Sequence, residues 1–184
     1  MQIGTLAIPA WVSWVGMAIA GGLCAWAFRS GLKKSSSPAS NKATVRRFFA
    51  EALDGRDLDM FDELVADDCV IHRPESREPI RGLNPFKEAV GRIVQTYSEF
   101  STTIHDLIAE DDRVACRLSH RAVNRGEWTS RLGRHDVAGK ALVWSANVIF
   151  RFRGGKIVEE WVSRDELGML IDLGVVQQAP VRSS

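Results

Sequence analysis

Apolar residues Val45, Phe48, Phe49 and Ala52 fall on one helical stripe, and Gly55 follows as a stop, which predicts an amphipathic helix starting near Asn41. A second, short helix over 57–65 would bury Leu58, Phe61 and Leu64. The run CVIH at 69–72 reads as a strand and leads into a loop rich in Arg, Glu and Pro. LNPF at 83–86 then opens a third helix, with Asn84 as N-cap and Pro85 at the first helical position, and Phe86, Val90, Ile93 and Tyr97 continue at helical spacing. Beyond this point the period changes to two. Stretches 101–109 and 113–123 flank EDD at 110–112 as a hairpin. Stretch 142–153 puts Trp144, Ala146, Val148, Phe150 and Phe152 on one face, and Gly154 and Gly155 turn it into a strand over 156–164. On that last strand strict alternation places Ile157, Glu159, Trp161, Ser163 and Asp165 together. Helices followed by an antiparallel meander predict an α+β domain, a curved sheet wrapped over helices with a cavity at its open end.

The segment before this domain is of a different kind. Residues 3–28 carry no charge over 26 positions, more than the roughly 20 needed to cross a bilayer core. Trp11 and Trp14 sit toward one end and Trp26 near the other, as interfacial aromatics do. A cleaved signal peptide is the rival reading, but it calls for a basic leading region, and no Lys or Arg precedes Arg29. The expectation is a single-pass transmembrane anchor at 1–28. Arg29, Lys33 and Lys34 just after it place the following domain on the cytoplasmic side. The small, polar SSSPAS at 35–40 then reads as part of a flexible linker over 29–41, ahead of a domain at 42–176 and a disordered tail at 177–184.

Composition narrows the partners. The 184 residues carry 45% hydrophobic and 26% charged content, as expected for one globular domain with an appendage. Setting Arg29, Lys33 and Lys34 aside leaves 21 bases against 23 acids, a net charge of −2, so nucleic acid is not an expected partner. Cys24, Cys69 and Cys116 show no CxxC spacing and leave one over from any pairing, which favours reduced or buried thiols. No pair of histidines has metal-ligand spacing, so no metal is expected.

Several residues are candidates for chemistry. An acid at Asp165 beside the Trp161 indole in a water-poor pocket would have a raised pKa and could take a proton α to a carbonyl. The alternative is that Asp165 simply caps the last helix, packed by Leu167, Leu170 and Ile171 and ended by Gly174. His120 alternates in phase with Val114, Cys116 and Leu118, which makes it an inward-facing candidate. Trp128, Trp144 and Trp161 could stack on a flat polycyclic substrate or fill the core.

The phrases VRRFFAEALDGRDLDMFDELVADDCVIHRP, GLNPFKEAV, DRVACR and IFRFRGGKIVEEWVSRDELGMLIDLG, in this order, resemble the SnoaL-like polyketide cyclases of the NTF2-like superfamily over roughly residues 42–176. The resemblance implies a cone-shaped barrel with an internal ligand pocket. It also implies ring closure of a polyketide by intramolecular aldol chemistry, without metal or organic cofactor and with an aspartate as acid and base. By its place after the tryptophan strand, that aspartate would be Asp165. His72, ending the CVIH strand, would line the pocket as a second catalytic group, and Arg117 in DRVACR would orient a carboxylate or enolate oxygen. Two positions depart from the family pattern: Glu160 stands where a histidine commonly precedes the tryptophan, and Asn124 where many relatives carry a histidine in a turn. The expected partners are a small hydrophobic molecule, the membrane through the N-terminal helix, and a second copy of the chain. A non-catalytic ligand-binding or dimerisation module is the alternative.

Overall fold

The helical start signal lies earlier than the periodicity indicates. The computed structural model describes residues 36–177, in which helix α1 (Pro38–Arg47) begins inside the stretch read as linker. Ser37 is its N-cap, with Oγ accepting the Ser40 N–H at 3.1 Å, and Pro38 takes the first helical position. A π-helical segment (Phe48–Asp54) continues α1. Its wider turn buries the adjacent Phe48 and Phe49 together with Ala52. The Phe48 ring meets those of Phe49, Phe61 and Phe150 edge-on at 5.2, 5.3 and 5.3 Å and stacks on Phe86 at 6.2 Å.

Helix α2 (Met60–Leu64) is shorter than the periodicity predicts, because residues 57–59 form a turn in which Asp57 accepts the Asp59 N–H. Val65 already belongs to β1 (Val65–His72), and β2 (Ile80–Arg81) pairs back on it. Helix α3 (Leu83–Thr96) starts after Gly82, whose φ of 92° is open to glycine and whose N–H donates to the Cys69 carbonyl at 2.8 Å. Asn84 is therefore inside the helix rather than its cap. Tyr97, predicted on a helical stripe, is instead the first residue of β3 (Tyr97–Glu110).

The predicted hairpins follow as β4 (Arg113–Asn124), β7 (Ala141–Arg153) and β8 (Lys156–Arg164), which pair antiparallel in the order β3, β4, β7, β8. Alternation in β7 buries Leu142, Trp144, Ala146, Val148, Phe150 and Phe152, as expected. The sheet is mixed rather than wholly antiparallel, since β1 joins the far side of β8 in parallel. Strand periodicity carries no direction, and the elements between β1 and β8 supply the long crossover that parallel pairing requires. A separate hairpin, β5 (Glu127–Ser130) with β6 (Gly133–Asp136), is an element the periodicity does not single out.

A bulge in β8 decides which side chains face inward. Phe152 pairs with Ile157, but the next residue, Arg151, pairs with Glu159, so Val158 is inserted and the alternation reverses. Glu160, Val162 and Arg164 then face the interior. Glu159, Trp161 and Ser163 face the opposite side, which corrects the face predicted for Trp161.

The main core lies between the N-terminal helices, α3 and the sheet, and a second apolar cluster joins Tyr97, Trp128 and Trp144 to the last helix, α4 (Glu166–Asp172). Cys69 and Cys116 are free and buried, and burial pushes both thiols up to about 11. No helix among the described residues is long and apolar enough to cross a membrane. The transmembrane segment expected at 1–28 and, apart from Gln177, the tail expected at 177–184 lie outside the described residues.

Candidate functional site

A cavity of about 470 Å³ opens between the π-helical segment, α3, the β5–β6 hairpin and the inner faces of β3, β4, β7 and β8. Its apolar walls include Phe48, Phe49, Phe100, Trp128, Trp144 and Val162. Such a volume with a few convergent polar groups is typical of small-molecule sites. Those polar groups come from Arg73, Glu75, His120, Glu160 and Arg164.

Glu160 is the most deeply enclosed of them, with 2% of its side chain exposed. Burial holds its carboxyl above the usual range, and the negative charge of Glu75 adds to this, while the Arg73 guanidinium, 3.2 Å from Oε2, opposes it. Arg164, also largely buried, faces Glu75 at 3.1 Å and closes a second ion pair on the wall. Tyr97 has its hydroxyl pushed up to about 12, mainly by burial, so it stays protonated.

His120 sits among Phe49, Phe100 and Trp144. Burial and the nearby Arg73 and Arg164 charges lower its pKa to about 3, so the imidazole is neutral at ordinary pH. The sign of the resulting pH dependence is fixed. Between about 3 and the ordinary 6.5 the unfolded chain binds a proton that folded His120 refuses, so stability is present above that window and is lost as pH falls through it. His120→Gln should flatten this acid limb in chemical denaturation run at several pH values, and an unchanged slope would contradict the assignment.

The sequence-predicted residues divide between two places. His120, Trp128 and Trp144 meet in the cavity. Asp165, His72, Trp161 and Arg117 are not among its lining residues. Asp165 is exposed and caps α4, accepting the Gly168 N–H at 2.9 Å. A Cβ at Gly168 would come within 2.3 Å of Asp165 Oδ2, so glycine there makes room for the cap. Asp165→Ala is expected to cost about 1 kcal/mol in urea denaturation and to leave ligand affinity unchanged. His72 stacks on Trp161 with ring centroids 5.5 Å apart, on the face of the sheet away from the core, and contacts Glu159 at 3.0 Å. Arg117 is exposed and pairs with Asp106 at 2.6 Å. Asn124 is buried, and its Nδ2 donates to the Lys140 carbonyl at 2.9 Å, fixing the end of β4.

Sequence reasoning missed Arg73, Glu75, Glu160 and Arg164 as site residues. The available signal was Glu160 itself, an acid placed inside an otherwise apolar strand. Among the described residues, no group of three or more His, Cys, Asp or Glu side chains could hold a metal ion.

Helices packed on a mixed sheet around an apolar cavity are the architecture of NTF2-like proteins. The chain belongs to the SnoaL-like polyketide cyclase family, whose model matches residues 43–173. Among solved structures, TsrD from Streptomyces laurentii shares 21% identity at a TM-score of 0.67, over 77% of this chain and 99% of that one. AclR from Streptomyces galilaeus, described as a candidate hydroxylase, shares 22% at 0.66, over 79% and 87%. IdmH from Streptomyces antibioticus, described as a candidate polyketide cyclase, shares 25% at 0.62, over 73% and 98%. No curated protein matches the sequence.

Proposed function

We propose that this protein is a cofactor-independent enzyme of the cyclase or isomerase type that moves protons in a hydrophobic carbonyl compound, with Glu160 as its acid–base group. One observation carries the reading: a carboxyl enclosed by protein, with its pKa held up by burial, on the wall of a largely apolar cavity of about 470 Å³. A carboxylate that binds protons more tightly than usual is a better base once ionised and a usable acid once protonated. Membership of the SnoaL-like family and the likeness to IdmH support the same class of reaction.

In the proposed step, the Glu160 carboxylate removes a proton from carbon α to the ligand carbonyl, and the electron pair of the broken C–H bond forms an enolate. Arg73, held 3.2 Å from Glu160 on the same wall, offers a positive charge to the developing oxyanion. For isomerisation the protonated Glu160 returns the proton to another carbon. For ring closure the enolate carbon attacks a second carbonyl carbon of the same molecule, and the new alkoxide takes the proton back. No step calls for a metal or an organic cofactor.

A simple probe tests this without knowledge of the natural substrate. The α C–H signals of 2-tetralone, a bicyclic ketone, should decay faster in D2O with the full-length chain than without it, as followed by proton NMR. An unchanged decay across a panel of such ketones would withdraw the enzyme and leave a ligand-binding domain.

A further inference from the structure

A hydrogen-bond chain behind His120 fixes which of its ring nitrogens carries the proton. Asp54, the last residue of the π-helical segment, accepts the Thr102 backbone N–H at 2.8 Å and the Thr102 hydroxyl at 2.7 Å, one on each carboxylate oxygen. A hydroxyl has a single proton to give. With that proton directed at Asp54, Thr102 Oγ1 offers only lone pairs to His120 Nδ1, 3.0 Å away. The contact is then a hydrogen bond only if Nδ1 is the donor. Thr102 and His120 are direct partners across β3 and β4, so the backbone register holds the two together.

Nε2 is in a different situation. Among the described residues it has no hydrogen-bond partner, and it is not one of the fully covered polar atoms left without one. His120 is also part of the cavity wall. In a neutral imidazole with its proton on Nδ1, Nε2 is an acceptor. Arg73 and Arg164 face the ring from the cavity side and disfavour a second proton, while Asp54 acts from behind through Thr102.

We propose that Asp54 and Thr102 lock His120 as the Nδ1–H tautomer, so that Nε2 presents a lone pair to the cavity and selects ligands carrying a hydroxyl donor, an enol or a phenol, beside their apolar rings. For the kind of ligand this rests on the proposed function, and it adds the second functional group that the compound bears. A ligand offering only a carbonyl or ether oxygen at that point would set two acceptors against each other and leave a buried group unpaired. Asp54 and Thr102 are positioning residues that act through His120.

The full-length chain labelled with 15N-histidine reads the tautomer directly in long-range proton–nitrogen correlation spectra. There are four histidines, and His120→Gln assigns the relevant signals by their loss. At pH 7 the expected result is a protonated Nδ1 and a bare Nε2. Thr102→Val, which keeps the side-chain shape and removes the hydroxyl, should release Nε2–H, and Thr102→Ser should restore the wild-type pattern. Nε2–H in the wild-type protein, or an unchanged spectrum in Thr102→Val, overturns the proposal, and the wild-type spectrum decides even if the valine variant does not fold.

Tryptophan fluorescence supplies the ligand arm. Wild-type protein should bind 1-naphthol roughly five- to tenfold more tightly than 1-methoxynaphthalene, the value of one hydrogen bond. Thr102→Val should lose that preference, and equal affinities in the wild type overturn the selection of donors. Because both readouts need no turnover, a failed ketone-exchange assay would remove the enzyme without touching the tautomer or the preference for a hydroxyl donor, and a wrong tautomer would leave the exchange assay standing.

Discussion

Glu160→Gln is expected to abolish proton transfer, keep ligand affinity within a few-fold, and remove a loss of stability that the wild-type protein undergoes as pH rises. The three effects have one cause. Burial holds the Glu160 carboxyl above its ordinary range, so between the unfolded and folded pKa values the folded chain binds the proton more tightly. Stability from this group is therefore present at low pH and is lost as pH rises through the folded value, where an enclosed side chain must carry a charge. Glutamine has the same shape and no charge. Its amide oxygen can still accept from Arg73, so the partner is not orphaned. Urea denaturation should show the stability of the variant relative to the wild type rising between pH 5 and pH 8. A group kept at such a cost for its chemistry fits the common trade between stability and activity. A relative stability that stays level or falls over that range would identify Glu160 as an ionised structural partner of Arg73 instead.

Phe48→Ala is expected to cost about 3–5 kcal/mol, the largest stability effect of any substitution considered, because a large ring is deleted at the centre of a packed cluster. Phe48 touches the rings of Phe49, Phe61, Phe86 and Phe150 and belongs to both the main core and the cavity wall. The aromatic cluster thus ties the π-helical segment to β7, and through Asp54 that segment reaches Thr102. Denaturation of Phe48→Ala and Phe48→Leu measures the effect. The leucine variant should lose clearly less, and a loss under about 1 kcal/mol in the alanine variant would mean that the cluster closes over the gap.

Particular residues show how far the sequence alone reaches. In β4 the alternation that places His120 inside with Val114, Cys116 and Leu118 also places Arg117 outside, so both orientations follow from one rule. In β8 the same rule misleads, because the inserted Val158 leaves no mark in the residue pattern and exchanges Trp161 for Glu160 at the cavity wall. A bulge is a property of pairing with β7, visible only when both strands are placed. The cap at Asp165 was legible as one of two readings, since an acid immediately ahead of a helix signals a terminus wherever its carboxylate points. The Ser37 and Pro38 start signal was equally legible but sat inside a small, polar stretch that resembles a tether. The parallel seat of β1 and the Asp54–Thr102–His120 chain bring together residues far apart in sequence, and no local period reports them.

The central claim is that Glu160 moves the proton, and one measurement addresses it most directly: the rate of α-hydrogen exchange into 2-tetralone in D2O, for wild-type and Glu160→Gln chains, across a range of pH. The wild-type rate should rise with pH as a carboxyl of elevated pKa loses its proton, and the variant should stay at the uncatalysed rate throughout. Equal rates in the two proteins, or a wild-type rate already level at the pKa of an ordinary glutamate, would contradict the account.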